Sequence, residues 1–409
     1  MGKKFIIIGI IFLFIGTSLA EVTGQVISKN KTILPEKQIC SNDSDFDQRI
    51  QFFMKLGHLP SISVCLINEN GTVWSKGYGF YDIRNRKYAT NTTIYPIGSI
   101  TKTVTATAVM QLIENESYGL NLDDNVSEYL PFDLKNPYYP NINITFRMLL
   151  AHQSSLSQTE ISLSLYFSIF NYPNSWLKEY LLPGGHIYCR RAWLRFRPGK
   201  DVYYSSTNSV VLAYLVERIT NQPFDEYCKE HIFDPLDMKN TSWHLEDFDV
   251  NDIAVPYIRR MGLYIKGPIF EYHCYGCGGI WTNVLDLSHY LMAYMNGGVY
   301  NGTRILKEET IELMYTLQYP DSYDGDARYG LGWYFWNDNS DGKDYGGHGG
   351  LYTGCFAKML RCLSDGTGII YFRNQYDFVR NYLFHLYNPI EKYAIKQIEK
   401  MLFEKAREL

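Results

Sequence analysis

Apart from one stretch near its N-terminus, this 409-residue sequence contains no long apolar run, so no later segment is expected to span a membrane. It also has no block of like charges: 39 basic and 43 acidic residues leave a formal net charge of −4. That removes any electrostatic ground for a nucleic-acid partner or for binding an anionic membrane surface. There is no internal repeat and no low-complexity tract. Cys274-Tyr-Gly-Cys277 has no second cysteine pair or His-x-His at metal-ligand spacing, so it reads as structural, and neither a metal nor an organic cofactor is expected. What is present in quantity is apolar and aromatic. Hydrophobic residues make up 46% of the chain, enough for one large composite domain or two ordinary ones. The 35 tyrosines suit either a hydrogen-bonding, substrate-gripping surface or the edges of a core.

The N-terminal stretch gives the compartment. Lys3 and Lys4 precede an apolar run from Phe5 to Ile15, and Ser18-Leu19-Ala20 has the small-x-small form of a cleavage site, so residues 1–20 read as a signal peptide and the protein as secreted. An uncleaved membrane anchor is the alternative reading, decided by whether the mature protein begins near Glu21. Secretion gives meaning to the acceptor sequences at Asn30, Asn42, Asn70, Asn91, Asn115, Asn125, Asn143, Asn240 and Asn301, which are expected to mark glycosylated, exposed loops. It also permits disulfides among Cys40, Cys65, Cys189, Cys228, Cys274, Cys277, Cys355 and Cys362. Cys65 and Cys355 lie in strand-like apolar runs and read equally as buried thiols.

Residues 21–45 are polar and irregular, and the folded domain is expected to start near Phe46. Ser61 to Ile67 and Thr72 to Gly77 flank Asn70-Gly71, a strong hairpin signal. From Ser99 to about Glu116 the period becomes helical. Its threonines are poor helix formers, so tertiary packing must hold it. Helices are predicted over Ser209–Thr220, stopped by Asn221 and Pro223, and over Val284–Met295. Strands are predicted over Tyr329–Trp336, Gly354–Leu363 and Gly368–Arg373, and an amphipathic helix closes the chain. Strand, helical middle, strand, helix is the order of an α/β sandwich with an inserted helical lobe.

Three elements carry chemistry. Ser99-Ile-Thr-Lys102 sets a hydroxyl and an amine one turn apart on a helix face, where the lysine can lower the cost of removing the serine proton. Gly98 precedes the serine, and the helix N-terminus favours a developing anion. Tyr204-Ser-Ser206 lies in a loop between Phe196-Arg-Pro-Gly199 and the Ser209 helix. A phenol there is a general base if the Lys102 ammonium lowers its pKa, and otherwise packs an edge. Gly346-Gly-His348-Gly349-Gly350 leads into the run containing Cys355. An edge strand at this point can offer the Leu351 N–H opposite that of Ser99 to an oxyanion, and His348 can hydrogen-bond or protonate a leaving group or carboxylate. A glycine turn with an incidental histidine is the alternative.

In this order, and with Pro60 to Val64, Gly77-Tyr-Gly79, Leu149-Leu-Ala-His152-Gln-Ser-Ser-Leu156, Asp234 to Thr241, Gly278-Gly-Ile-Trp-Thr282 with Asp286, and Tyr329-Gly-Leu-Gly-Trp333, these elements resemble the class C β-lactamase-related family. That family includes β-lactamases, D-alanyl-D-alanine carboxypeptidases, D-aminopeptidases and family VIII esterases. The resemblance covers roughly Phe46 to the C-terminus. It implies a β-lactamase/transpeptidase-like α/β fold, an antiparallel sheet flanked by helices, with one lobe from about 46–98 and 268–409 and a helical lobe of about 99–267. It also implies Ser99 as nucleophile, Lys102 and Tyr204 as the proton-handling pair, and His348, Gly349 and Gly350 in place of the family's K-T-G. Two departures bear on substrate. Ser206 stands where the family has an asparagine that holds the lysine and the substrate amide, and His348 stands where many β-lactamases have a carboxylate-binding lysine. Ester or peptide turnover is therefore expected over efficient β-lactam hydrolysis, on a small-molecule or peptide substrate. Ser155 replaces a glycine usual in its turn, which puts that turn's backbone in question. The competing reading is a weakly catalytic or inactive relative used for binding or assembly.

Overall fold

The computed structural model describes residues 44–157, 176–272, 275–319, 328–338, 342–376 and 388–409. The chain divides into residues 1–48 and 49–409. Of the first unit only residues 44–48 are described, as the opening of helix α1 (Ser44–Leu56). The signal-peptide stretch, the segment before Phe46 apart from its last residues, Asn30, Asn42, Cys40 and Cys274 lie outside the described residues.

An eight-stranded antiparallel sheet organises the second unit. Its strands are β1 (Ser61–Asn68), β2 (Gly71–Asp82), β3 (Lys87–Tyr88), β4 (Arg328–Tyr329), β5 (Tyr334–Asp338), β6 (Lys343–Tyr352), β7 (Cys355–Cys362) and β8 (Gly368–Arg373). Their order is β4-β5-β6-β7-β8-β1-β2-β3. The first hairpin forms as Asn70-Gly71 dictates: Gly71 takes φ +108, and Asn68 Oδ1 accepts the Asn70 N–H at 2.8 Å. Between β3 and β4 the chain forms helices α2 (Thr101–Glu114), α3 (Phe146–Leu150), α4 (Ser206–Thr220) and α5 (Val284–Met295), and it ends in α6 (Pro389–Glu408).

The period of two divides the central strands between two layers. Cys65, Ile67, Ala357, Met359, Ile370 and Phe372 join the apolar core shared with α2, α4 and α5. On the opposite face, Lys358 and Tyr371 both reach Glu399 of α6, and Arg373 reaches Glu391 at 2.8 Å. Helix α2 is buried continuously from Thr101 to Met110, as its poor intrinsic propensity requires. Thr103 and Thr107 turn their hydroxyls back onto Ile100 and Thr103 carbonyls, at 2.8 and 2.9 Å.

Three expectations need correction. The strand predicted over Tyr329–Trp336 is broken between β4 and β5, because a Cβ at Gly332 would lie 2.2 Å from Ala106 Cβ of α2, and the chain must leave the sheet to admit that helix. Helix α4 begins at Ser206, capped by Ser205, whose Oγ accepts the Thr207 N–H at 3.2 Å. Gly346–Gly350 lies inside β6, which agrees with the edge-strand reading and not with its glycine-turn alternative. Cys65, Cys189, Cys228, Cys355 and Cys362 are unbridged, and all but Cys189 are buried. Burial pushes the Cys65 thiol up to about 11, so it behaves as a small apolar side chain.

The turn between β7 and β8 fastens the last helix. Asp365 accepts from Lys343 at 2.6 Å and from Arg407 of α6 at 2.7 Å, with only 22% of its side chain exposed. Burial alone would raise this carboxyl, but hydrogen bonds from Lys343, Thr367, Cys362 and Arg407 outweigh it and hold it well below the usual carboxylate range. A carboxyl depressed on folding adds stability above its unfolded pKa, and that contribution is lost as pH falls through that value toward the folded one. Asp365→Asn is therefore expected to cost about 1–2 kcal/mol at pH 7. Urea unfolding should show the deficit shrinking below about pH 4.

Candidate active site

Ser99 sits on a sharp connection from a short strand to a helix. Tyr95–Pro96 pairs with Trp281–Thr282, and the Ile97 N–H donates to the Ile280 carbonyl at 2.9 Å. Gly98 then takes φ +48 and opens the 3-10 turn Gly98–Ile100 that runs into α2. A Cβ at Gly98 would meet Leu351 O at 2.4 Å and Leu351 N at 2.7 Å, so glycine is required here twice over, by backbone angle and by the approach of β6.

Lys102, one turn on, is 3% exposed. Its Nζ donates to Ser99 Oγ at 2.9 Å and to the Cys277 carbonyl at 2.8 Å, and lies 5.2 Å from the centre of the Tyr204 ring. The carbonyl is presented by a 3-10 turn, Tyr275–Cys277, wedged between α2 and α4. Thr105 of α2 donates to the Gly276 carbonyl at 2.8 Å, and a Cβ on Gly276 would come within 2.1 Å of Ser209 O in α4. Trp243 Nε1 donates to the Tyr275 and Gly278 carbonyls, at 3.2 and 3.1 Å.

Tyr204 is half-buried, on a loop docked onto residues 152–157. Tyr203 N–H donates to the His152 carbonyl at 2.9 Å, and Gly199 N–H to that of Gln153 at 2.9 Å. The Ser205 N–H and Asn208 Nδ2 both donate to His152 Nδ1, at 3.3 and 3.0 Å, so the ring proton of His152 is on Nε2. Ser154 Oγ in turn donates to Asn208 Oδ1. Burial, with the charges of Lys102 and His348 adding to it, holds His152 well below the usual histidine range and keeps it neutral. Its ring packs 4.7 Å from that of Tyr204. Ser155 adopts φ +64 despite its side chain. It secures that backbone by donating to the Ser154 carbonyl and accepting from Asn136 Nδ2 at 2.6 Å, which answers the question raised by the missing glycine. Ser206 is buried at the first turn of α4.

Strand β6 closes the site. Its pairing with β5 ends at Gly347, so among the described residues one edge of His348–Tyr352 is unpaired by a strand. The main chain of Leu351 faces Gly98 along that edge, and a Cβ on Gly350 would fall 1.7 Å from Ile97 O and 3.2 Å from Ser99 N. His348 is buried, 5.0 Å from the Tyr334 ring and 6.2 Å from that of Tyr204. Its Nδ1 donates to the Gly349 carbonyl at 2.7 Å. Burial and the Lys102 charge push its pKa down to about 3 against that hydrogen bond. The structure thus places His348 beside the serine with its Nδ1 proton on the Gly349 carbonyl.

The candidates Ser99, Lys102, Tyr204, His348, Gly349, Gly350 and Leu351 thus converge around one serine. Sequence reasoning assigned no part to Cys277, Asn208 or Ser154. The polar run His152–Ser155, set in apolar sequence and wholly buried, was the available signal.

Residues 46–387 match the family described as Beta-lactamase. Protein flp of Staphylococcus aureus (strain MW2) is 26% identical over 259 residues, 63% of this chain and 50% of that one, so the chain spans about half the length of that relative. Among solved structures, the octameric penicillin-binding protein homologue from Pyrococcus abyssi is 25% identical with a TM-score of 0.68, over 87% of this chain and 77% of that one. D-amino acid amidase from Ochrobactrum anthropi SV3 shares the fold, with a TM-score of 0.69 at 21% identity over 87% of this chain and all of that one. The family match over residues 46–387 spans all eight strands of the sheet and every residue gathered around Ser99, and the chain belongs to the Beta-lactamase family.

Proposed function

We propose that this protein is a serine hydrolase working by acyl transfer at Ser99, on ester, peptide or amide carbonyls rather than as an efficient β-lactamase. One observation carries the reading: a buried lysine nitrogen, fixed at its far side by the Cys277 carbonyl, lies 2.9 Å from a half-buried serine hydroxyl. In the reacting form the Lys102 nitrogen turns a lone pair to Ser99 and takes the hydroxyl proton as Oγ bonds to the substrate carbonyl carbon. The carbonyl oxygen becomes an oxyanion between the N–H groups of Ser99 and Leu351, on the unpaired edge of β6. Collapse breaks the bond to the leaving group, which receives a proton through Lys102 and Tyr204. Water then attacks the acyl carbon as Tyr204 takes its proton and passes its own to Lys102, which returns a proton to Ser99 Oγ as the acyl C–O bond breaks.

The extracellular setting is part of the same proposal. Residues 1–20 would be removed as a signal peptide. Asn70, Asn115, Asn143, Asn240 and Asn301 are exposed, as glycan acceptors must be. Among the described residues no helix is long and apolar enough to cross a membrane.

Hydrolysis of a panel of chromogenic esters and D-aminoacyl anilides tests the reading. Ser99→Ala should abolish turnover without lowering Tm by more than a degree or two. Lys102→Met should reduce kcat by about 10³-fold or more and Tyr204→Phe by about 10²-fold. A folded wild type inert to the whole panel would favour the binding reading. Because His152 and His348 are held neutral, the kcat/KM profile should also lack a histidine limb between pH 5 and 7. A limb there that vanishes in His348→Asn would contradict the assignment.

A further inference from the structure

A short two-stranded hairpin stands outside the eight-stranded sheet. Tyr257–Arg260 pairs with Leu263–Lys266, which sets Ile258 opposite Ile265 and Arg260 opposite Leu263 on one face, and Tyr257, Arg259, Tyr264 and Lys266 on the other. The second face turns to the body of the protein: Tyr257 is buried, and the Tyr264 hydroxyl donates to the His58 carbonyl at 3.0 Å. Alternation along a half-buried ribbon should then leave polar side chains on the outer face. The reverse is found, for Leu263 is 64% and Ile265 38% exposed.

At the tip, Met261 and Gly262 take φ +50 and +86, the two left-handed positions of a type I′ turn, where asparagine followed by glycine is favoured. Methionine is disfavoured in that region, and Met261 is fully exposed, so packing within the chain does not offset the cost. The hairpin is also basic. It carries Arg259, Arg260 and Lys266, and the sequence has no acidic residue between Asp252 and Glu271. Glu391 of α6, whose charge reaches Tyr264 from the inner side, is held by Arg373 at 2.8 Å. The even charge balance of the whole chain averages this concentration away.

We propose that this hairpin docks the protein onto an anionic membrane surface, with Met261, Leu263 and Ile265 inserted at the headgroup boundary and Arg259, Arg260 and Lys266 among the phosphates. Charge selects this occupant. A second copy of the chain would bring the same cations face to face, whereas a bilayer with anionic headgroups offers negative charge to the bases and a deformable apolar layer to a projecting tip. The base of the hairpin adjoins the Ser99 site. The Tyr257 N–H donates to the Gly354 carbonyl at 3.1 Å, in the turn just beyond Leu351, so docking ties the edge strand of the site to the lipid surface.

The test is co-sedimentation of the purified chain with vesicles of phosphatidylcholine alone or of phosphatidylcholine mixed with phosphatidylserine. The wild type should bind the mixed vesicles at least about tenfold more tightly and lose that margin in high salt. Met261→Asn combined with Leu263→Thr and Ile265→Thr should weaken binding at least about tenfold while Tm holds or rises, since asparagine suits the turn and threonine the strands. Arg260→Gln with Lys266→Gln should remove most of the preference for phosphatidylserine. Absence of binding to either vesicle overturns the proposal, and so does binding that persists in the apolar variant, which would place it elsewhere in the chain. Concentration-dependent dimers that the same variant dissolves would give the face to a second copy instead. Ser99→Ala should bind as the wild type does, so docking and catalysis are read separately.

Discussion

A lysine nitrogen almost wholly withdrawn from water must be given back what hydration supplied, and here no carboxylate does so among the described residues. Lys102 is held instead by a serine hydroxyl, a main-chain carbonyl and the face of a tyrosine ring. Each partner comes from a different part of the chain, and the carbonyl is 175 residues away in sequence. The packing follows from that requirement. Gly276 lets its turn enter between α2 and α4, Thr105 fastens the turn to α2, and Trp243 pins both of its ends.

The second constraint is steric. Ser99 and Leu351 belong to main-chain segments that approach too closely for a side chain on either Gly98 or Gly350. The pairing of β5 with β6 ends at Gly347, and among the described residues the rest of that edge has no neighbouring strand just where this approach occurs. Beneath Tyr204, the two donors on His152 and the Ser154–Asn208 bond make a rigid polar floor that fixes the loop without placing a charge near the lysine.

Much of this was legible before the structure. Asn70-Gly71 specified the first hairpin, the apolar period specified α5 to the residue, and serine and lysine one turn apart on a helix led to the site. What escaped the sequence has physical causes. Backbone carbonyls carry no residue signature, so Cys277 was read through its thiol rather than through the oxygen that holds Lys102. Glycines serve turns and close contacts alike, so the sequence left a turn open beside the edge strand that Gly346–Gly350 forms. The gap at Gly330–Trp333 exists because α2 occupies the space, a fact of tertiary packing.

The central claim is that Ser99 is made reactive by Lys102. It is tested most directly by exposing the whole chain to a fluorophosphonate and locating the adduct by peptide mass spectrometry, in the native protein and in folded Lys102→Met. The account predicts one adduct, on Ser99, formed rapidly in the native protein and at least about a hundredfold more slowly in the variant. Modification of a different serine, or equal labelling of Ser99 in both proteins, would contradict it.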